Sequence, residues 1–344
     1  MRSSFKSPMD PDSQKTTGQE ADHRTDDDQA IRIGISACIL GQEVRFNGGH
    51  KLDRFIRDTL GLFVEFVPVC PEVDIGLGTP RETLRLVRSS EDHPSLIAPK
   101  SGKDHTGTML KYARKKCAQL DKLDLCGFIV QKGSPSCGME RVRVYPAGQG
   151  APAKDGRGLF ARVLMDRLPL LPVEEDGRLN DPLLRENFIE RVFAYRRLRT
   201  LFQGRWKIAD LIRFHSSEKL LLLAHDPVAH RNLGRLVASA KGMARKALKE
   251  EYQRRFLKAL SRRSTARKHF NVMQHVACYF KKELDPSDRE ELHDLIHAYR
   301  RSLVPLIVPM TLIRHHVRRL EIEYLSQQSY LDPHPRELML RNHV

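Results

Sequence analysis

From Ile31 onward, short apolar runs alternate with segments whose apolar residues recur at helical spacing. IRIGISA, LFVEFVPV and LCGFIVQ read as strands, whereas KLDRFIRDTLG, the stretch Gly107 to Leu120 and that around Leu159 to Arg167 read as helices. This is the alternation of an α/β amino-terminal domain with a mostly parallel sheet covered by helices. LPVEEDGRLND, Leu171 to Asp181, has the turn and charge chemistry of a boundary, and PLLRENFIERVFAYRRL begins a long helix after it. The helical period continues through Leu233, Leu236, Val237, Ala240, Leu248, Tyr252, Phe256 and Leu260.

The pattern thus predicts a tail over residues 1–30, an α/β domain over 31–178 and a mainly α-helical domain over 179–344. The tail is polar, carries the acidic run Asp26 to Asp28, and has the composition of a disordered segment with no signal peptide. The apolar run Leu303 to Ile313 is broken by Pro305 and Pro309 and falls short of the roughly 20 residues of a membrane span. It reads as a loop or bent helix ahead of a helix from Thr311 to Gln327. No membrane partner and a cytoplasmic location are expected, and no obligatory protein partner is inferred.

Charge changes the picture of the second half. Residues 1–190 hold 28 basic and 28 acidic side chains, residues 191–344 hold 31 and 15, and the whole formal charge of +16 therefore lies in the second half. Arg231 to Lys268 alone has 13 basic against 2 acidic residues. A helical cationic face of this density suits a polyanion, and Arg245, Lys246, Arg254, Arg255, Arg262, Arg263, Arg267 and Lys268 are the candidate RNA-binding residues. Trp206, Phe214, Tyr252 and Tyr279 fall at helical spacing and read as core rather than as base-stacking groups.

In a reducing compartment the six cysteines are thiols or metal ligands rather than a disulfide framework. Cys117, Cys126 and Cys278 sit inside helix or strand patterns and read as small hydrophobes. Cys38, Cys70 and Cys137 instead follow strand runs, in the turn-rich stretches CILGQEVRFNGG, CPEVDIGLGTP and SPSCGME. Open α/β sheets bind ligands beyond the carboxyl ends of their strands, so these three should converge. Three thiolates without a fourth suit a site with an open coordination position, which a structural zinc site lacks. The histidines of the second half, His215, His225, His230, His269, His275, His315 and His316, show no metal-binding spacing and are assigned no metal.

SACILGQEVRFNGGHK, VPVCPEVDIGLGTPRETLRL, Asp104 to Thr106 and QKGSPSCG together resemble the thiouracil desulfidase family over about residues 31–175. KHFNVMQHVACYFKKEL, YRRSLVPLIVPMTLIRHH and QQSYLDPHPRELMLRN resemble the YbgA-like domain, and the fused arrangement is similar to thiouridine desulfidases that act on tRNA. The resemblance implies a 4Fe-4S cluster held by Cys38, Cys70 and Cys137 with one open iron, and catalytic roles for Glu72 and Ser134. It implies desulfurisation of a thiolated uridine in tRNA, 4-thiouridine first among the candidates, to uridine and sulfide. A desulfidase of free thiouracil or thionucleosides, and a non-catalytic iron-sulfur protein that binds nucleic acid or senses oxidation, are the alternatives. One departure is Asn47, in RFNGG, where the family shows aspartate; it bears on substrate choice.

Overall fold

The computed structural model describes residues 30–88 and 94–343, and the tail expected over residues 1–30 lies outside them apart from Ala30. Its strands are β1 (Ile31–Ser36), β2 (Val64–Val69), β3 (Arg85–Val87), β4 (Ser95–Ile97), β5 (Leu125–Val130), β6 (Val142–Tyr145), β7 (Ala153–Gly156) and β8 (Val173–Glu175). Four of them form a parallel sheet in the order β2-β1-β5-β8, so Ser36, Val69, Val130 and Glu175 end on one edge. A second, mixed sheet has the order β4-β3-β6-β7. Its strands of three or four residues are too short to impose a hydrophobic period, which is why the sequence pattern shows loop there.

The helices are α1 (Pro71–Asp74), α2 (Thr106–Leu120), α3 (Leu159–Arg167), α4 (Pro182–Leu201), α5 (Ile208–Ser217), α6 (Lys219–His225), α7 (Pro227–Ala238), α8 (Arg245–Leu260), α9 (Ala266–Tyr279), α10 (Pro286–Arg300), α11 (Ile307–Arg319) and α12 (Glu323–Ser326). KLDRFIRDTLG forms a π-helical turn over Phe55–Thr59 and a 3₁₀ turn over Leu60–Leu62 instead of a regular helix. Pro309 is accommodated inside α11 because it occupies the first turn, where a backbone N–H has no helical partner to lose. The predicted helix Thr311 to Gln327 accordingly starts earlier, and it stops at Arg319 before Glu321, whose φ is 49°.

Every residue of β5 is buried. Phe128, with Met109, Ala113, Cys117, Leu159, Phe160 and Leu164 of α2 and α3, forms the core on one face of the parallel sheet. On the other face Ile33, Ile35 and Ile129 meet Phe188, Ile189 and Val192 of α4, and Leu338 and Leu340 from the end of the chain join them. A Cβ on Gly127 would lie 2.8 Å from Val192, so α4 rests directly on the β5 backbone. Farther along, Ala194 and Leu198 enter the helical core with Leu233, Leu248, Tyr252 and Phe256. One helix therefore serves both cores, and the described residues from Ile31 onward form a single compact unit.

Candidate active site

Three loops leave the carboxyl edge of the parallel sheet, and each carries one of the cysteines singled out above. Cys38 sits in a 3₁₀ turn, Ala37–Leu40, two residues beyond β1, and its carbonyl accepts from Lys51 N at 2.8 Å. Cys70 is the N-cap of α1 immediately after β2, with Sγ 3.7 Å from the Val44 carbonyl oxygen. Cys137 lies in the loop after β5, whose carbonyls meet the amino terminus of α3. Leu159 N donates to Pro135 O at 3.1 Å and Phe160 N to Ser136 O at 3.0 Å, so the loop satisfies N–H groups that a helix start leaves unpaired. A Cβ on Gly158 would come within 2.5 Å of the Ser136 carbonyl, so glycine is what lets α3 approach this closely.

All three cysteines border one hollow of about 190 Å³, together with Glu72, Ser134, Ser36, Arg45, Phe46 and Arg81. Glu72 is clamped there. Its Oε2 accepts from Arg81 Nε at 3.0 Å and Nη2 at 2.7 Å, and its Oε1 accepts from Ser136 Oγ at 2.8 Å. Oε1 keeps a lone pair for one more donor. Ser134 Oγ accepts from Ser136 N at 3.2 Å and Cys137 N at 3.0 Å. With both acceptor sites used, the hydroxyl has its proton left to donate.

Burial, reinforced by Cys70 and Asp176 nearby, pushes the Cys38 thiol up to about 11. Burial likewise raises Cys70, and raises Cys137 well above the usual thiol range with Glu72 adding to it, while a hydrogen bond with Ser36 works the other way. Cys38 and Cys70 both add to the rise at Cys137, so the sulfurs share one environment. No disulfide joins them. Among the described residues no three His, Cys, Asp or Glu side chains are drawn together tightly enough for a single metal ion. Three soft sulfur donors spread around one hollow, with no fourth cysteine among the described residues lining it, fit an iron-sulfur cluster that keeps one iron open.

Arg81, Ser136 and Ser36 were not singled out from the sequence. Arg81 falls within VPVCPEVDIGLGTPRETLRL, nine residues after Glu72, but only the folded loop turns it back onto the carboxylate. Asn47 closes a turn by accepting from Gly49 N at 3.2 Å, a bond that an aspartate would also make. Asp104 and Thr106 organise the start of α2, with Asp104 Oδ1 accepting from Thr106 N and Thr106 Oγ1 from Leu96 N, each at 2.7 Å. Cys117 and Cys126 are fully buried, as hydrophobes would be, whereas Cys278 is exposed on α9.

The residues expected to grip RNA are held differently from one another. Arg254 and Arg255 both bind Glu251, at 2.6 Å and 2.5 Å, and Arg262 pairs with Asp226 at 2.7 Å. Lys268 Nζ donates to the carbonyls of His225 and Arg263, and Arg245 stacks 5.0 Å over Trp206. Lys246, Arg263 and Arg267 are exposed and have no ion pair among the described residues.

A parallel sheet whose carboxyl edge gathers two buried thiols, a half-buried one and a clamped carboxylate defines an α/β protein with a thiol-based site. The chain belongs to the 2-thiouracil desulfurase family, whose model matches residues 33–176, and continues into a DUF1722 region of unknown function at residues 219–335. It is 33% identical over 153 residues to the uncharacterized protein YbgA of Escherichia coli, covering 44% of this chain and 90% of that one. To the uncharacterized protein YbbK of Bacillus subtilis it is 31% identical over 110 residues, covering 31% and 72%. A solved structure, the [4Fe-4S]-dependent thiouracil desulfidase TudS, shares 29% identity over 44% of this chain and 94% of its own, with a TM-score of 0.35. No helix among the described residues is long and apolar enough to cross a membrane.

Proposed function

We propose that this protein is an iron-sulfur-dependent desulfidase that converts a thiolated uridine in tRNA, 4-thiouridine before others, to uridine with release of sulfide. The observation that carries the reading is the convergence of Cys38, Cys70 and Cys137 with Glu72 and Ser134 on one hollow. The three thiolates would hold a 4Fe-4S cluster, which when bound supplies a thiophilic Lewis acid for the sulfur of a thiocarbonyl.

The overall change is hydrolytic: water oxygen bonds to the ring carbon, the C–S bond breaks, and both water protons end on sulfide, with no net electron transfer. Glu72 is positioned to take a water proton on Oε1, while Arg81 fixes the carboxylate from the other side. Ser134 presents a hydroxyl proton to the hollow, because its acceptor sites are committed to the loop backbone. A base inside folded RNA must leave its stack to reach this depth. The cationic helical part, with Lys246, Arg263 and Arg267 unpaired among the described residues, is suited to hold the surrounding phosphates.

The test is anaerobic incubation of iron-reconstituted protein with thiolated tRNA, followed by nucleoside analysis by mass spectrometry. Conversion to uridine that disappears in Cys137→Ala supports the reading; an unchanged thionucleoside beside a fully loaded protein overturns it. The family description favours one second reading, hydrolysis of free 2-thiouracil. Turnover of the free base at least as fast as of tRNA would select it.

A further inference from the structure

A hollow of about 600 Å³ lies in the helical part of the molecule, walled by α4, the start of α9 and the end of α10. None of the three site cysteines lines it, and the chemistry proposed for them makes no use of it. Two buried carboxylates on its α4 wall, Glu186 and Glu190, share one buried guanidinium, Arg341, at 3.2 and 2.8 Å. Glu190 also meets His225 Nε2 at 3.1 Å, whereas the second oxygen of Glu186 has only His343 Nε2, at 3.4 Å, among the described residues. Burial and the nearby Glu190 accordingly hold the Glu186 carboxyl well above the usual carboxylate range.

Two more polar atoms at this hollow have no hydrogen-bond partner among the described residues. Tyr299 is 9% exposed and lines the hollow, yet its hydroxyl is bonded to no side chain or backbone group there. Burial and the charge of Glu186 raise its phenol, so hydroxyl and carboxylate stand near one another. Asn187 is 7% exposed and donates from Nδ2 to the Leu260 carbonyl at 3.0 Å, which leaves Oδ1 without a donor. Polar atoms so deeply buried are nearly always hydrogen-bonded in folded proteins, and here their common neighbour is the hollow. A short way off α9 begins, where Ala266 N and Arg267 N have no acceptor, and Arg263 no ion pair, among the described residues. The two sides are close, because His225 Nε2 is 3.1 Å from Glu190 Oε2 and 3.3 Å from Ser264 Oγ, two residues before the helix. The inner side therefore calls for a cationic donor and the helix start for an anion. Leu183, Val304 and Leu306 add apolar surface.

We infer that this hollow binds an α-amino acid with an aliphatic side chain: Glu186, Asn187 and Tyr299 take its ammonium, and Arg263 with the start of α9 takes its carboxylate. Such a molecule carries its two charged heads one carbon apart, which matches charges of opposite sign on adjoining walls of one cavity. The inference is independent of the desulfurisation proposed for the cysteine site, whose residues it does not involve.

Isothermal titration calorimetry on the full-length, iron-loaded protein tests it, with L-leucine, L-isoleucine and L-valine as separate probes. At least one should bind at a single site per chain with a Kd below about 1 mM. The amine and the carboxylic acid that keep its side chain but lack one head, for leucine 3-methylbutylamine and 4-methylpentanoate, should bind at least about 10-fold more weakly. Tyr299→Phe removes a hydroxyl without a partner among the described residues. It should weaken amino-acid binding about 3- to 10-fold while leaving the urea midpoint at or above that of wild type. Arg263→Gln, at an exposed residue, should weaken binding by a similar factor, and Lys246→Gln, on α8 and outside the hollow, should leave it unchanged. Saturable heat from none of the three amino acids, a single-headed analogue that binds as tightly as the amino acid, or wild-type affinity in Tyr299→Phe or Arg263→Gln overturns the inference.

Discussion

Glu72 and Ser134 line the same hollow but are held by different hydrogen bonds, and their substitution separates the two roles proposed for them. Glu72→Gln keeps the side chain's size while removing the group that accepts a proton, so turnover should fall about 10²- to 10⁴-fold. Iron content, measured colorimetrically per chain, should stay within a few per cent of wild type; a matching loss of iron would make Glu72 a structural support. Ser134→Ala leaves the N–H groups of Ser136 and Cys137 without their acceptor in a buried loop, each at a cost of about 1–3 kcal/mol. That variant should lose iron and melt earlier, as well as losing turnover. The clamp consists of hydrogen bonds that join Glu72 to residues 9 and 64 positions away, which is why the sequence pattern does not show it.

At the scale of elements, the cysteine loop and α3 are one construction. The loop carbonyls terminate the helix's free N–H groups, and Gly158 permits the approach. Gly158→Ala would push a methyl group into the Ser136 carbonyl and the Cys137 nitrogen, 2.5 and 2.8 Å away. It should lower iron loading and shift the unfolding midpoint downward, although the residue does not line the cysteine hollow; an iron-replete Gly158→Ala protein of normal stability would disprove the coupling. The periods of α2 and α3 and the runs of β1, β2 and β5 are legible because each is long enough to show its buried face. The strands of the second sheet are not, and the π-helical turn after Arg54 is not either, since three to five residues fit several conformations equally well.

For the whole molecule, the end of the chain is tied back to the helix that bridges both cores. Arg341 is buried and binds Glu186 at 3.2 Å, Glu190 at 2.8 Å and the Tyr330 carbonyl at 2.8 Å. Arg341→Met would leave two carboxylates buried without their cation and should cost about 3–5 kcal/mol in urea unfolding. A loss below 1 kcal/mol would show that water reaches them. Acid should weaken the fold as well. Burial, aided by Lys219, holds His215 down to about 4, and burial with Arg341 nearby holds His334 to about 4 and His269 to about 3. Unfolded histidine titrates near 6.5, so below that pH the unfolded chain takes up protons that the folded one refuses. Stability should therefore decline from about pH 6.5 toward pH 4, by about 2 kcal/mol per histidine at pH 5, and show no such dependence above pH 7. His215→Gln, which can keep the bond to Tyr252, should flatten that slope; equal urea midpoints at pH 7 and pH 5 would refute the account.

The runs of β1, β2 and β5, the helices α2 and α3 that alternate with them, the basic second half and the three cysteines at strand ends are properties of the chain alone. They are readable because burial imposes a period on local sequence, and because parallel strands end on a common edge wherever they stand in the chain. The tertiary structure alone decided that Arg81 and Ser136 clamp Glu72, that the cysteine loop caps α3, and that Arg341 answers Glu186 and Glu190 from 155 and 151 residues away. It alone brought Asn187, Ala266 and Tyr299, from α4, α9 and α10, around one hollow. Periodicity encodes that a residue is buried and on which face, whereas a pairing across the fold is specified only when two distant segments meet.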